Sequence, residues 1–122
     1  MEMSELKIDI SLPSEGVRLL RLSGPFDISN LFVFQEQVRQ NPHPVTIIDL
    51  SEVPYIDSAA LGSLLGFHVS CQRGAARYAL VEVSPRIQSL LRMSHVDTIL
   101  IQHATLADAQ RSLTGKSAAG PG

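Results

Sequence analysis

The segment 45–65 commits the chain to a strand followed at once by a helix. Residues 45–50, Val-Thr-Ile-Ile-Asp-Leu, are a short apolar run rich in β-branched side chains, the pattern of a strand buried in a sheet. Pro54 has no N–H to give to a sheet ladder, so the strand must stop before it. From Leu61 the apolar residues fall at helical spacing, and Asp57 and Ser58 stand where a helix would be capped. A helix is expected over 58–73, with Gly74 as its C-terminal stop. A hydroxyl, Ser58, is therefore offered at the mouth of a helix directly after a sheet strand. Backbone N–H groups and the positive end of the helix dipole converge at such a point, where an added phosphate is stabilised.

The same alternation organises the rest of the chain. Residues 6–12 set apolar Leu6, Ile8, Ile10 and Leu12 between polar neighbours, the two-residue period of a half-buried strand. Pro13-Ser14-Glu15-Gly16 predicts a turn, and 17–22 a second strand antiparallel to the first. Asp27 or Ser29 is placed to cap a helix over 31–40, with Leu31, Phe34 and Val38 on one face and Pro42 and Pro44 ending it. A strand is expected over 78–83, then a helix ending near Met93 with Ser84 as N-cap and Pro85 in its first position. A short strand over 98–102 and a helix over 105–113 complete the series. Strands alternating with helices after an opening hairpin predict an α/β fold, a mixed but mostly parallel sheet of about five strands with about four helices. Residues 1–113 read as one domain, and the Gly-, Ala- and Pro-rich stretch 114–122 as a disordered tail.

Composition narrows the partners. The net charge of −2 with dispersed Lys and Arg argues against a phosphate-backbone binder, and the absence of Trp limits any base-stacking platform, so no nucleic acid is expected. No apolar run approaches the length of a membrane span, and the acidic start Met1-Glu2-Met3-Ser4-Glu5 does not read as a signal peptide. A cytoplasmic protein away from membranes is expected. Cys71 stands alone, which rules out an intrachain disulfide and a thiolate zinc set. His43, His95 and His103 show no metal-ligand spacing, and neither a metal nor a cofactor is expected.

The run Asp49-Leu50-Ser51-Glu52-Val53-Pro54-Tyr55-Ile56-Asp57-Ser58-Ala59-Ala60-Leu61-Gly62 resembles the signature of the STAS domain, specifically of the anti-sigma factor antagonists, D-L-S-x-V-x-x-I-D-S-[ST]-G-L-G. Leu22-Ser23-Gly24-Pro25-Phe26-Asp27 is similar to that family's L-x-G-E-L-D turn, and the stretch from Ser84 to Asp97 to its final x-V-R-R-V-L-E-L-T-G-L-D segment. The likeness extends over residues 6–113. It implies a STAS fold, in which the Ser after the Asp is phosphorylated by a partner kinase, and Ser58 holds that position. It also implies that Asp27 lies beside this site. The chain departs from the pattern at Ala59, where the family has a second hydroxyl, at Ala60, where it has Gly, and at Pro25, where it often has Glu.

On a helical wheel of 58–73, Leu61, Leu64, Leu65 and Cys71 cluster with His68, while Ala59, Gly62, Ser63, Gly66 and Ser70 gather on the other side. A solvated helix face normally carries long polar side chains. Two glycines one turn apart each cost about 1 kcal/mol relative to Ala, so they need a reason. Close approach by a partner is one, and close packing against this protein's own neighbouring segment is another. The resemblance favours the partner, because the corresponding helix contacts the kinase in that family. The residues expected to meet it are Asp27, Asp57, Ser58, Ala59, Ala60, Gly62, Ser63, Gly66 and Phe67. Ser58 could alternatively serve only as the N-cap, and His68 reads as a structural histidine with a hydrogen-bond partner or as a ligand. Asp27 and Asp57 could repel a phosphate on Ser58, or could bind Mg²⁺ or a basic partner residue.

No catalytic set is legible. Ile56-Asp57-Ser58-Ala59-Ala60 is not a G-x-S-x-G nucleophile elbow, and no His is tied to Ser58 by spacing. Thr114-Gly115-Lys116-Ser117 echoes a phosphate-binding loop whose first glycine is missing, Gln110 standing in its place. The resemblance implies a non-enzymatic anti-sigma factor antagonist that binds an anti-sigma factor serine kinase and frees a sigma factor. Phosphorylation of Ser58 breaks that complex, a phosphatase restores it, and the protein is a monomer or weak dimer. The alternative is a STAS adaptor that docks unmodified, in a signalling scaffold or a transporter complex.

Overall fold

The computed structural model describes residues 5–40 and 42–114. A hairpin of β1 (Lys7–Ser14) and β2 (Val17–Ser23) is followed by α1 (Leu31–Arg39), β3 (Val45–Glu52), α2 (Ser58–Arg73), β4 (Arg77–Val81), α3 (Pro85–Met93), β5 (Gln102–His103) and α4 (Leu106–Thr114). The sheet order is β1-β2-β3-β4-β5, with β1 antiparallel to β2 and every other pair parallel. The expected mixed, mostly parallel sheet with four helices is the fold observed.

Two apolar layers explain why β3 reads as a continuous apolar run. Leu20, Leu22, Ile48, Leu50 and Leu80 face one side, where Leu31 and Phe34 of α1, Leu61 and Leu64 of α2, and Ile87 and Leu91 of α3 cover them. Val17, Leu19, Val45, Ile47, Ala79 and Val81 face the other, closed by Ala109 and Leu113 of α4. A strand covered on both faces must be apolar at successive positions, not alternate ones.

Several boundaries differ from the sequence expectation. β1 runs on to Ser14, so the turn shrinks to Glu15-Gly16, with Gly16 at φ +78°. Only Leu6 and Ile8 of the apolar set in this region meet the core, while Ile10 is 47% and Leu12 64% exposed, because β1 is an edge strand whose extensive contacts are with β2 alone. The strand expected over 98–102 is reduced to Gln102–His103, since the Ile99 and Leu100 N–H groups bond back to Val96 O and make a turn instead. β4 begins at Arg77 and ends at Val81, where Glu82 adopts φ +58°. α4 continues through Thr114, so the expected tail cannot begin there; residues 115–122, with most of the phosphate-loop echo, lie outside the described residues. α1 starts behind Asn30, not behind Asp27 or Ser29 as N-cap.

Two buried polar side chains tie layers together. Arg18 of β2 donates to Gln37 O and Gln40 O, the exposed carbonyl end of α1, and to the Thr46 hydroxyl on β3, while burial pushes its pKa down. A cation there opposes the negative end of the helix dipole. The structural reading of His68 holds: its Nδ1 lies 2.8 Å from the Tyr78 hydroxyl, which also accepts the Ile101 N–H at 3.0 Å. Burial raises the Tyr78 pKa to about 12.

Candidate functional site

The site forms where the segments leaving β2 and β3 meet. Phe26 and Ile56 form a parallel bridge, Phe26 N–H donates to Tyr55 O and Asp57 N–H to Phe26 O. Gly24 makes this crossing possible: its φ is +102°, and a Cβ there would lie 2.5 Å from Glu5 O. Asn30 closes the loop after β2, accepting the Asp27 N–H at 3.0 Å and donating to Pro25 O at 2.9 Å.

Asp57, and not Ser58, is the N-cap of α2. Its Oδ1 accepts the Ala60 N–H at 2.9 Å and its Oδ2 the Ile28 N–H at 3.0 Å. One carboxylate therefore starts the helix and fastens the β2–α1 loop to it. Both oxygens carry a backbone donor. Ser58 occupies the first helical position, is exposed, and among the described residues its hydroxyl has no hydrogen-bond partner. The reading in which this serine merely caps the helix does not hold.

Asp27 is half-buried on the neighbouring loop. The Ser29 hydroxyl donates to its Oδ1 at 2.6 Å and holds the carboxyl below its ordinary pKa, with the Ser29 N–H at 3.0 Å and the more distant Tyr55 hydroxyl adding to this. Asp27 is thus an anion at neutral pH.

Along α2 the small residues separate into two groups. Gly62 and Gly66 are exposed, and a Cβ added to either would meet nothing within 4 Å. Among the described residues, packing against this protein's own neighbouring segment therefore does not explain them. They line an open groove with Ala59, Ser63, Phe67 and Ser70 on α2 and Phe34, Gln35, Val38 and Arg39 on α1. Ala60 and Ser63, expected at the partner surface, are buried. Ala60 packs in the core with Leu61 and Leu64, which accounts for a Cβ where the family pattern has Gly. Ser63 donates to Ala60 O at 2.8 Å, so its hydroxyl is satisfied inside the molecule. Phe67 is half-buried, edge-on to Phe34 at 6.0 Å and next to Tyr78, and serves chiefly the seam between α1 and α2.

Sequence reasoning missed an exposed apolar group at the start of α1. Ile28 is 61% and Phe32 68% exposed, and Val33 is exposed beside them. The signal was present: Leu31-Phe32-Val33-Phe34 puts four apolar residues in a row on a helix that can bury only one side, and Leu31 and Phe34 take it. A cleft of about 690 Å³ between Ser51, Glu82, Ser84, Gln88 and His103 includes none of the residues around Ser58. Among the described residues no group of three His, Cys, Asp or Glu could hold a metal ion, and no helix is long and apolar enough to cross a membrane.

The STAS domain family model matches residues 13–109. An anti-sigma factor antagonist from Mycobacterium paratuberculosis has a similar structure, with a TM-score of 0.79 at 18% identity over 90% of this chain and 95% of that one. The anti-sigma factor antagonist SpoIIAA in its unphosphorylated form gives 0.71 at 20% identity, covering 90% of this chain and 98% of that one. The Bacillus cell fate determinant SpoIIAA in the phosphorylated form gives 0.67 at 18% identity over 87% and 98%. A sulfate transporter family protein from Wolinella succinogenes gives 0.65 at 22% identity, covering 87% of this chain and 93% of that one. At these identities the likeness is one of fold.

Proposed function

The chain belongs to the STAS domain family, and on that premise we propose that it is an anti-sigma factor antagonist working by partner switching. The unphosphorylated form docks on an anti-sigma factor that is also a serine kinase, and so frees a sigma factor. The kinase then transfers the γ-phosphoryl group of its bound ATP to Ser58 Oγ, the serine proton leaves, ADP is released, and the complex comes apart. A phosphatase hydrolyses the phosphoserine and resets the cycle. In this reading the chain is a cytoplasmic docking protein and a kinase substrate, not an enzyme.

The observation that carries the reading is the division of labour at the start of α2. Asp57 does the capping, so the exposed Ser58 hydroxyl is left available for modification. Phosphate would bring about −1.5 to −2 charges to this point. The anionic Asp27 nearby and the groove beside Gly62 and Gly66 make those charges felt where a partner would rest.

The likeness to a sulfate transporter family protein supports a second reading, an adaptor that docks without modification. Incubation with candidate anti-sigma factor kinases and Mg-ATP, followed by mass mapping, separates the two. A single phosphate on Ser58 that is absent from Ser58→Ala supports the switch. Tight kinase binding with no phosphate on Ser58, retained in Ser58→Asp, supports the adaptor.

A further inference from the structure

We propose that the outer edge of β1 is a self-association surface, on which a second copy of this chain pairs its own β1 antiparallel across a two-fold axis at Ile8. The inference is independent of the phosphorylation reading. β1 has β2 on one side and, among the described residues, no strand on the other. Alternate residues of an edge strand turn their N–H and C=O groups outward, ready for another strand. β1 also carries the apolar Ile10, which is 47% exposed, on the face that Leu6 and Ile8 share with the core.

The charges choose the register. Lys7 and Asp9 lie on one face of β1, and among the described residues neither has an ion-pair partner. In a two-fold antiparallel pair, residues equally spaced about the axis stand opposite each other. An axis at Lys7 or at Asp9 sets like charges face to face, and an axis at Ile10 sets Lys7 against Pro13. An axis at Ile8 sets Lys7 against the mate's Asp9, twice. It also brings Ile8 against Ile8 and Ile10 against Leu6, covering the exposed isoleucine. The ladder register breaks between Ser11 and Ser14, and Pro13 lies within that break, so the far end of the edge is blunted and falls outside the paired stretch. The result is one sheet continuous through both copies.

Sedimentation of the full chain over a range of concentrations tests this. The wild type is expected to pass from monomer to dimer, with a dissociation constant that rises with salt. Asp9→Lys, which places like charges opposite Lys7 at both positions, weakens the dimer by at least about tenfold. The double charge exchange Lys7→Asp with Asp9→Lys restores it, which excludes a mere folding defect in the single variant. A wild type that is monomeric at every concentration overturns the assignment, and so does a dimer that Asp9→Lys leaves intact or one that the double exchange fails to restore.

Discussion

Asp57 accepts the Ile28 N–H at 3.0 Å through the carboxylate oxygen that does not cap α2. The loop after β2 and the helix after β3 are thereby held by one side chain, whose other oxygen takes the Ala60 N–H. Ser58 is presented next to a rigid corner, and the rigidity comes from its neighbour in sequence.

Replacing Asp57 by Ala removes the cap and the loop tie together. The cap alone is worth about 0.5–2 kcal/mol, and urea unfolding should show a loss of about 1 kcal/mol or more. Asp57→Asn, a good cap in its own right, should lose less. A loss within error for Asp57→Ala would mean that the two bonds do not hold this corner.

Gly62 and Gly66 should reveal a conflict between stability and docking. Both face open space, so Gly62→Ala or Gly66→Ala should raise stability by about 1 kcal/mol through helix propensity. If a partner rests in the groove, larger side chains there, as in Gly66→Leu, should weaken its binding without unfolding the chain. Thermal melts and kinase binding on the same samples decide it. A stabilised variant with unchanged affinity would remove the groove from the docking surface.

Backbone strain separates residues that must be glycine from residues that would gain by becoming glycine. Gly24→Ala meets both a positive φ and Glu5 O, and should cost about 2 kcal/mol or more. Ala75 and His95 sit at φ +60° behind α2 and α3, with Ala76 N–H bonded to Cys71 O and Val96 N–H to Leu91 O. Ala75→Gly and His95→Gly should each stabilise by about 1 kcal/mol, the usual cost of a left-handed residue that has a Cβ. Denaturant midpoints measure all three.

The parts legible in the sequence were those set by local chemistry. α2 was read to the residue because proline stops the strand before it and Asp57, Ser58 and Gly74 mark its ends. α3 was equally plain from Ser84-Pro85. What escaped was set by neighbours distant in the chain. The wheel placed Ser63 with Gly62 and Gly66, and all three line the groove beside α1, yet Ser63 is buried and the glycines are exposed. Gly74 ends α2, but the left-handed position falls on Ala75, which residue type alone does not announce. The run 98–101 has strand composition, yet it turns, because only Gln102 and His103 lie in register with Leu80 and Val81. The starts of α2 at Asp57-Ser58 and of α3 at Ser84 were thus visible beforehand, and the Asn30 cap of α1 and the exposed Ile28 and Phe32 were not.

The buried Tyr78 gives the fold an alkaline limit. Its folded pKa, about 12, lies above the unfolded tyrosine value of about 10. The group therefore contributes stability that is complete below about pH 10 and is lost as pH rises through the folded value near 12. Ultraviolet titration should show one of the two tyrosines ionising near 12. Tyr78→Phe should abolish that step and cost about 1–3 kcal/mol at neutral pH, because the Ile101 N–H and His68 lose their partner. Ionisation of both tyrosines in the ordinary range would contradict the burial.

The central claim is that charge on Ser58 decides docking, and calorimetric titration of the anti-sigma factor kinase with this chain tests it most directly. The unphosphorylated protein and Ser58→Ala should bind alike. The protein phosphorylated at Ser58 should bind at least about tenfold more weakly, a difference of some 1.4 kcal/mol or more. Equal affinity for the phosphorylated and unphosphorylated forms would contradict the account.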